Sequence, residues 1–446
     1  MGAETEYWNA TLETLDHERL RALQLRKLQR VVAWGYEKSR LYRRTFDAAG
    51  FRPEHLRTWD DVTRVPLLTK HDYRCQDTEP FPYGDTLCVP LDDVTVFHQT
   101  SGTTGTPVYQ PDTWADWEWW SECWATILWA QGFRPSDRVF LPFGYNIFVA
   151  YWAGHYACEK IGCEVVPGGV LGTTERLMKM KELKVTAFMA TPTYVLGMAD
   201  TARAELGLDP REFGIQRVLC AGEPGALIPS TKKRMEEIWG CPVHDHVGAT
   251  EVGAWSFECR HRPGGLHVNE GMFLVELLAL DSDEVVTEAG VPGRIVITSF
   301  DRQAQPCIRF DTKDVSMWSP RGCGCGRTWR ILDGGVHGRV DHITKVKGVL
   351  FSPIAVEEVV RSFPEIDGEF EIIVDKKGDL DTIGLRLEMP RGQGEAEQED
   401  LVKRLLSALR WKTQLNFDLE RLAFGTLPRY ALKARRFHDR RKEAHP

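Results

Sequence analysis

HQTSGTTGTP, running from His98 to Pro107, is the stretch from which the rest of the chain can be interpreted. It follows DDVTVF, which is typical of a short strand, and hydroxyl and glycine residues fill the interval Thr100–Thr106. Glycine lets a backbone approach a ligand closely, and hydroxyls with backbone amides can surround phosphate oxygens. The Gly-Lys-Ser/Thr ending of the Walker pattern is missing. The stretch therefore predicts a phosphate-binding loop of another kind, with an ordinary polar hairpin as the alternative.

The composition is that of a globular protein of two or three domains. The chain has 446 residues, of which 42% are hydrophobic and 27% charged. Its net charge of −8 favours neither nucleic acid nor an anionic membrane as a partner. The polar start MGAETEYWNA is unlike a signal peptide, and no apolar run reaches the ~20 residues of a membrane span. Eleven cysteines, an odd number, favour reduced thiols, so we expect a cytoplasmic protein.

Strand and helix patterns alternate between residues 138 and 250. RVFLPF, TAFMATP and RVLCAGEP are typical of buried strands, and each precedes a helical pattern. This alternation predicts an α/β fold with parallel sheets flanked by helices, in which ligands bind beyond the carboxyl ends of the strands. Residues 265–335 predict a small β-rich module, and the segment after GRVDHI predicts a small α+β unit. We therefore expect a large domain, 1–340, and a small mobile carboxyl-terminal domain, 341–446.

A tryptophan-rich segment, DTWADWEWWSECWATILWA, follows the phosphate-loop candidate. Trp117, Trp120 and Trp124 are spaced i, i+3 and i+7, so they would share one face of a helix. We expect their rings to fill core or a subunit interface. A wall of a pocket for an aromatic acid is the alternative.

Four further motifs follow in chain order, AGEP (Ala221–Pro224), VGATE (Val247–Glu251), IRFDTKD (Ile308–Asp314) and GRVDHI (Gly338–Ile343). Together with TSGTTGTP they resemble the motifs of the acyl-adenylate-forming superfamily. The chain length narrows the resemblance to the phenylacetate-CoA ligase group of aryl-CoA ligases. The resemblance implies an ATP-dependent, AMP-forming enzyme that activates an aromatic carboxylic acid and transfers it to CoA. It also implies Mg²⁺ as a cofactor and a homodimer as the assembly.

Two alternatives to this function stay open. An adenylating enzyme that loads a carrier protein, or that stops at the aryl-AMP, would share every motif. A binding protein that kept the nucleotide fold and lost catalysis is the other, and the intact acidic and basic residues of the motifs argue against it.

The resemblance assigns roles to individual residues. Glu251 matches the family's Mg²⁺ ligand, and Asp314 matches the carboxylate that accepts both ribose hydroxyls, as one carboxylate can. Arg339 and Lys433 match the cations near the α-phosphate, so Lys433, Glu251 and Arg339 form the expected catalytic set. The expected nucleotide-binding set is Thr100, Ser101, Gly102, Thr103, Thr104, Gly105, Glu223, Asp245, Thr250, Asp314 and Arg339.

The chain departs from the family pattern at three positions near these residues, and one of them is Ala431, which precedes Lys433 in a segment where a Gly-Lys pair is common. Thr106 stands where the phosphate loop commonly has lysine, so one cation near the leaving pyrophosphate is missing. Val247 stands where an aromatic residue is common before Gly248, which weakens the expectation of a ring stacked on adenine.

The expected acid pocket combines aromatic and small residues. Tyr145, Phe148 and Trp152 lie in GYNIFVAYWAGHYACEKIG, which predicts a helix, and Ala221 with Gly222 would form a flat wall for a ring. Ordinary core packing explains these residues almost as well. An arylacetate, an indoleacetate and a hydroxy- or aminobenzoate all stay open as the substrate.

Cysteine and histidine spacing indicates a second, structural site. Cys323 and Cys325 are one residue apart, and Cys259 precedes them by about sixty positions together with His261 and His267. Three thiols and one imidazole suit tetrahedral Zn²⁺, although free core cysteines are the alternative. We prefer His267 as the fourth ligand because GLHV opens a strand, and His261 in RHRPGG is the reserve.

The GRVDHI motif lies where the two expected domains meet. A β-rich module ends there and a separate unit begins, with a single chain crossing near Asp341. Hinge motions are absorbed by a few residues at element ends. We expect the carboxyl-terminal domain to rotate about Asp341 between the two half-reactions.

Overall fold

The structure of the chain is a computed structural model. It describes residues 5–74, 78–100, 106–340, 344–346, 349–377, 380–428 and 436–442. The α-helices of these residues are α1 (Ala10–Glu13), α2 (His17–Lys38), α3 (Arg40–Ala48), α4 (Trp114–Ala130), α5 (Val149–Ile161), α6 (Thr173–Glu182), α7 (Pro192–Leu206), α8 (Pro229–Trp239), α9 (Pro353–Arg361) and α10 (Glu395–Thr413).

The strands form several separate sheets. In chain order the strands are β1 (Val96–Gln99), β2 (Tyr109–Asp112), β3 (Arg138–Leu141), β4 (Glu164–Pro167), β5 (Ala187–Ala190), β6 (Arg217–Cys220), β7 (Val243–Ala249), β8 (Gly253–Cys259), β9 (Arg262–Val268), β10 (Phe273–Leu278), β11 (Pro292–Ser299), β12 (Phe310–Met317), β13 (Ile331–Asp333), β14 (Gly338–Arg339), β15 (Thr344–Val346), β16 (Val349–Phe351), β17 (Phe370–Lys377), β18 (Leu380–Glu388), β19 (Asp418–Leu422) and β20 (Phe437–Asp439).

The main sheet has eight strands in the order β13-β9-β8-β7-β6-β5-β3-β4. Strands β4, β3, β5, β6 and β7 are parallel, as the alternation of strands and helices predicts. Strands β8, β9 and β13 extend the sheet with antiparallel pairing. The predicted α/β class is confirmed, and the sheet is mixed because the hairpin after VGATE continues along its edge.

A second, four-stranded antiparallel sheet has the order β10-β11-β12-β14. The β-rich segment of residues 265–335 is therefore divided between two sheets. Strands β9 and β13 complete the main sheet, whereas β10, β11 and β12 build the second one. Pairing of β12 with β14 places Asp314 directly opposite Arg339, so this sheet positions two of the predicted site residues.

The tryptophan-rich segment forms α4, which begins with a capping box. Thr113 Oγ1 accepts a hydrogen bond from Asp116 N at 3.1 Å, and Asp116 Oδ2 accepts one from Thr113 N at 3.0 Å. Trp120 and Trp124 are almost completely buried, and the Trp124 ring lies 4.3 Å from that of His246. These contacts favour the core interpretation of the tryptophan face.

The carboxyl-terminal residues have a hydrophobic core of their own. Buried residues between Val346 and Phe417 pack together there, apart from the larger core, which extends from Leu20 to Leu332. Strands β17 and β18 form an antiparallel hairpin, with β20 and β19 added in parallel on its two sides. The boundary between residues 340 and 341 stays a prediction, because residue 341 lies outside the described residues.

Two element boundaries differ from the sequence expectation. Helix α5 begins at Val149, not at Gly144, because Phe148 is in the extended region with φ −91° and ψ 134°. The segment RGQGEAEQED, residues 391–400, has the polar composition that predicts a spacer, yet it is helical from Glu395 onward. Glu397 Oε2 accepts a hydrogen bond from Gly394 N at 2.8 Å and so stabilises the first turn of α10.

Candidate active site

The phosphate-loop candidate is the connection of a β-hairpin. Strands β1 and β2 pair antiparallel from Val96 opposite Asp112 to Gln99 opposite Tyr109. At the base of the connection, Thr100 Oγ1 accepts a hydrogen bond from Val108 N at 3.0 Å, and Thr100 N donates to Val108 O at 3.0 Å. Thr100 therefore closes the hairpin. The other predicted residues of the loop lie outside the described residues, namely Ser101, Gly102, Thr103, Thr104 and Gly105.

Glu251 lies in the turn between β7 and β8, with a buried side chain. Its Oε1 atom is 2.8 Å from Lys70 Nζ. Its backbone carbonyl accepts a hydrogen bond from Arg302 Nη1 at 3.0 Å, and the Thr250 carbonyl accepts one from the same atom at 3.3 Å. The backbone of the turn is thus fixed by Arg302, and the carboxylate lies in a buried place beside a cation.

A fully buried ion pair connects this turn with the hairpin. Arg302 Nη2 lies 2.8 Å from Asp112 Oδ1, and both side chains have no exposed surface. Asp112 is the last residue of β2, so Arg302 joins β2 to the backbone of Glu251. The Trp120 ring lies 5.1 Å from the Arg302 guanidinium, which stabilises the cation further.

Lys70 was not among the predicted site residues. It lies two residues after Leu68, which pairs with the start of β12. Leu68 N donates to Arg309 O at 3.1 Å, and Asp311 N donates to Leu68 O at 2.8 Å. This pairing places Lys70 next to Glu251, which lies 181 positions later in the sequence. A lysine in a loop without a motif carries no sequence signal of such a contact, so only the tertiary structure could identify it.

Asp314 and Arg339 form the second group of the candidate site. Arg339 Nη1 lies 3.4 Å from Asp314 Oδ1 and donates to the Thr312 carbonyl at 3.0 Å. Asp314 N donates to Thr312 Oγ1 at 3.0 Å. Both charged side chains are partly exposed, 26% for Asp314 and 37% for Arg339, so a ligand can reach them.

Glu223 follows β6 and contacts the first turn of α7. Its Oε1 atom accepts a hydrogen bond from Thr193 N at 2.8 Å, which satisfies an amide that the helix leaves without an internal partner. The preceding Gly222 has φ +94°, a conformation that favours glycine. The AGEP motif is therefore a sharp turn at the carboxyl end of β6, with Ala221 buried behind it.

Asp245 lies inside β7 and is buried. Burial first, and then the charge of Glu258, raise the pKa of its carboxyl well above the usual value. Its Oδ1 accepts a hydrogen bond from His246 N at 2.7 Å. The strand after AGEP thus presents a second acidic group on the same edge of the sheet as Glu223.

The predicted acid-pocket residues Tyr145 and Phe148 lie in the loop before α5, and Trp152 lies in its first turns. Tyr145 Oη is 2.7 Å from His155 Nδ1, and its ring is 4.7 Å from that of Trp152. Gln99 N donates to the Ile147 carbonyl at 3.0 Å, so this loop adjoins the end of β1.

Tyr151 of α5 was also missing from the prediction. Burial raises the pKa of its hydroxyl, and the charges of Cys220 and Glu223 raise it further. Tyr151 therefore lies close to the AGEP turn. Its position in the chain could have indicated it, since Tyr151 directly precedes the predicted residue Trp152.

Three cysteines and one histidine meet at the far end of the main sheet. The ligand atoms of Cys259, His267, Cys323 and Cys325 all lie within 4.8 Å of one another. Cys323 Sγ is 3.8 Å from Cys259 Sγ, and Cys325 Sγ is 3.5 Å from His267 Nε2. The reserve candidate His261 lies outside this group and is paired with Glu6 at 3.3 Å.

The remaining predicted catalytic residue, Lys433, lies outside the described residues, as do Asp341 and Ala431. Within the described residues, every helix is too short or too polar to cross a bilayer.

Two family profiles match the chain in order. The profile of AMP-binding enzymes matches residues 42–300. The profile of the AMP-binding enzyme C-terminal domain matches residues 348–441. The two matches leave between them the residues around the GRVDHI motif.

Curated relatives extend over most of the chain. The phenylacetate-coenzyme A ligase of Thermus thermophilus is 32% identical over 382 residues, covering 85% of this chain and 83% of the relative. The enzyme of the same name from Escherichia coli is 28% identical over 435 residues, covering 96% and 97%.

Among solved structures, a 2-hydroxyisobutyryl-CoA ligase is similar over its full length. In its postadenylation state with 2-HIB-AMP the TM-score is 0.93, with 28% identity and coverage of 99% of this chain and 94% of that one. In its thioesterification state with CoA the TM-score falls to 0.74 at the same coverage. The arrangement of the two domains in the present structure therefore resembles the postadenylation state.

Proposed function

Because the chain belongs to the AMP-binding enzyme family, we propose that it is an ATP-dependent, AMP-forming ligase that joins an aromatic carboxylic acid to CoA. The observation that carries this proposal is the buried Glu251, whose carboxylate is 2.8 Å from Lys70 and whose backbone carbonyl is joined by Arg302 to the phosphate-loop hairpin. The curated relatives, which are named phenylacetate-coenzyme A ligases, support an aryl acid as the substrate.

In the first half-reaction, a carboxylate oxygen of the acid attacks the α-phosphorus of ATP and pyrophosphate leaves. Two anions must approach each other, so the site has to supply positive charge. Arg339 and Lys433 are the cations that we assign to the α-phosphate, and Lys70 lies near the phosphate hairpin, where Thr106 replaces a lysine. Asp314 accepts the ribose hydroxyls.

Glu251 is the residue that fits a Mg²⁺ ion. Its carboxylate is buried next to the phosphate hairpin, and oxygen is the ligand atom that Mg²⁺ prefers. When bound with ATP, the ion would neutralise charge on the phosphates. When no metal is bound, the nearby ammonium of Lys70 balances the negative charge of the Glu251 carboxylate.

In the second half-reaction, the CoA sulfur attacks the acyl carbon, AMP leaves with the bonding electrons, and the thiol proton is released. The same large-domain residues retain the adenosine part of the intermediate. The hinge at Asp341 would let Lys433 withdraw, so that the thiol can enter. This domain motion and the boundary between residues 1–340 and 341–446 belong to the proposal.

The acid pocket is assigned to the space between the loop before α5 and the AGEP turn. Tyr145, Phe148 and Trp152 supply aromatic surface, and Ala221 with Gly222 leaves room for a flat ring. The Tyr145 hydroxyl is bonded to His155, so a polar group is also present on this wall. Arylacetates, indoleacetates and hydroxy- or aminobenzoates are the acids to compare.

The test is acid-dependent exchange of labelled pyrophosphate into ATP with Mg²⁺, over a panel of these acids and alkyl acids. We expect exchange with at least one aryl acid, followed by thioester formation when CoA is added. Exchange without thioester formation would favour the carrier-loading adenylase. If none of the acids supports exchange, the enzymatic proposal is wrong.

We also propose that Cys259, His267, Cys323 and Cys325 bind a structural Zn²⁺. For tetrahedral Zn–S bonds of about 2.3 Å, two sulfurs are separated by about 3.8 Å, and a sulfur and a nitrogen by about 3.5 Å. The observed separations of 3.8 Å and 3.5 Å match these values. Bound zinc would connect β8 and β9 with the loop before β13.

Elemental analysis tests the zinc proposal. Protein purified without chelator should contain about one zinc per chain, and Cys323→Ser should lower both the metal content and the melting temperature, because structural zinc binding contributes to folding. Cys241→Ser is the matched control, since Cys241 is buried outside the cluster. Metal-free protein with unchanged stability would contradict the site.

Two further proposals concern assembly and location. The resemblance to the phenylacetate-CoA ligase group supports a homodimer, which light scattering would detect as about twice the 50.8 kDa chain mass. The described cysteines form no disulfide with one another, which supports a cytoplasmic location. Fluorescence imaging of a tagged chain in its source cell would test the location.

A further inference from the structure

Arg436 is the centre of a charged cluster in the carboxyl-terminal domain. Its Nε atom lies 3.0 Å from Glu369 Oε2, and its Nη1 atom lies 3.2 Å from Glu357 Oε1. Arg361 contacts Glu369 from the other side at 3.4 Å. The Arg436 side chain is only 11% exposed, so its forked guanidinium is oriented by two carboxylates of its own domain.

The same guanidinium also reaches the large domain. Arg436 Nη2 donates to Thr193 Oγ1 at 3.3 Å. Thr193 lies in the first turn of α7, and its backbone amide is bonded to Glu223 of the AGEP turn. A chain of three contacts therefore runs from Glu369 through Arg436 and Thr193 to Glu223, a residue of the expected nucleotide-binding set.

Acidic groups of both domains lie near Arg436. Glu357 lies in the carboxyl-terminal domain and interacts unfavourably with Glu223 of the large domain, whereas Arg436 interacts favourably with both. Without Arg436, acidic groups of the two domains would face each other with one fewer cation between them. Like charges at such a junction disfavour its closure.

We propose that Arg436 is a positioning residue for adenylation, which fixes the carboxyl-terminal domain against α7 in the arrangement that forms the acyl-adenylate. This inference rests on the proposed function. Arg436 follows Lys433 by three residues, so fixing Arg436 restricts where Lys433 can reach. A contact favours one arrangement of the domains only if it is stronger in that arrangement than in the other. The contact of Arg436 with Thr193 meets this condition, because it depends on the position of the carboxyl-terminal domain relative to α7.

Other hydrogen bonds also cross the junction among the described residues. Arg234 Nη1 donates to the Ile366 carbonyl at 3.3 Å, and Ser352 Oγ donates to the His337 carbonyl at 3.4 Å. Arg436 differs in that its acceptor, Thr193, is itself bonded to Glu223 of the AGEP turn. Arg436 is therefore the residue at which a single substitution should separate the two half-reactions.

The experiment compares Arg436→Ala with Arg436→Lys and Thr193→Val in both half-reactions. Arg436→Ala should lower pyrophosphate exchange about 10- to 100-fold, as expected for loss of a charged hydrogen bond. Conversion of supplied acyl-AMP and CoA to thioester should stay within about twofold of wild type. Arg436→Lys, which keeps the charge without the fork, should recover part of the exchange.

Thr193→Val removes the acceptor from the large domain and leaves the carboxyl-terminal domain unchanged. It should lower exchange about 10-fold, as for loss of a hydrogen bond to a charged group, without affecting thioester formation. Arg386→Ala is the matched control, because Arg386 pairs with Glu371 and Glu420 inside its own domain. This control should leave both half-reactions unchanged.

Wild-type exchange tests the proposed function separately. If wild type exchanges pyrophosphate and both Arg436→Ala and Thr193→Val do so at wild-type rates, the positioning role is wrong and the function stands. Equal loss of both half-reactions in Arg436→Ala, with Thr193→Val unaffected, would also overturn it, since the arginine would then serve only the stability of its domain.

Discussion

The large domain and the carboxyl-terminal domain contribute to the candidate site in different ways. Glu251 and Asp314 are fixed by hydrogen bonds within the large domain, to Arg302 and to Thr312. The carboxyl-terminal domain has its own core and meets the large domain through contacts such as that of Arg436 with Thr193. In the proposed mechanism, such a site keeps its nucleotide-binding part constant while the second part exchanges its contacts between steps.

The largest effect that we expect from this division is on adenylation alone. Lys433→Ala should lower pyrophosphate exchange about 10³-fold, or about 4 kcal/mol, because a cation next to the attacking and leaving oxygens is lost. Thioester formation from supplied acyl-AMP should persist. Lys403→Ala is the control, since Lys403 is exposed on α10. A parallel loss of both half-reactions would argue against a separable domain.

The reciprocal variant is Asp341→Pro. Proline fixes φ near −65° and also constrains Val340. Where that angle suits the adenylation arrangement, exchange should persist while thioester formation is lost. Circular dichroism shows whether the fold is intact, and equal decreases in both steps would contradict a hinge at this position.

The separate cores predict separate unfolding. Leu385 is fully buried in β18, and Leu128 is fully buried in α4. Leu385→Ala should destabilise the carboxyl-terminal domain by about 3 kcal/mol through loss of apolar contact and the cavity left behind. Calorimetry should then show one transition shifted and the other unchanged, with Leu128→Ala shifting the opposite one. A single transition that both variants shift equally would show that the domains unfold together.

Within the large domain, Glu251→Gln should reduce pyrophosphate exchange about 100-fold, or about 2.7 kcal/mol, and raise the Mg²⁺ concentration needed. Thioester formation from supplied acyl-AMP should change little, because no pyrophosphate is present in that step. Glu288→Gln, at an exposed position, is the control. Exchange within threefold of wild type would remove Glu251 from the metal site.

The smallest effect concerns pH and the base of the hairpin. His98 is buried with its ring 5.1 Å from that of Trp117, and burial, followed by the charge of Arg302, lowers its pKa to about 4. The unfolded chain binds the proton near pH 6.5. The stability from His98 is therefore complete above pH 6.5 and is lost as the pH falls towards 4.

His98→Phe keeps the stacked ring and removes the titrating group. Between pH 7 and pH 5, the variant should lose about 2 kcal/mol less unfolding free energy than wild type. Urea unfolding at the two pH values measures this difference. His244 and His246 have pKa values lowered to about 3 and about 4, mainly by burial. The unfolding free energy of the variant therefore still decreases as the pH falls. If the variant and wild type lose the same unfolding free energy between the two pH values, His98 does not titrate as proposed.

The motifs could be recognised in the sequence because their chemistry is local. Glycine at a sharp turn, hydroxyls in a hairpin connection and acidic residues just after strands are set by neighbouring residues along the chain. Alternating strand and helix patterns likewise predicted the α/β fold, now confirmed. Boundaries were less certain, as at α5, because loop residues such as Tyr145 and Phe148 share the apolar character of the helix that follows.

Contacts between distant residues required the tertiary structure. The sequence determined that Glu251, Asp314 and the cysteine pairs were candidates, whereas folding decided that Lys70 meets Glu251 and that His267, not His261, joins the cysteines. It also decided that Arg436 reaches Thr193. The physical reason is that burial of a shared core, not local propensity, determines which distant side chains become neighbours.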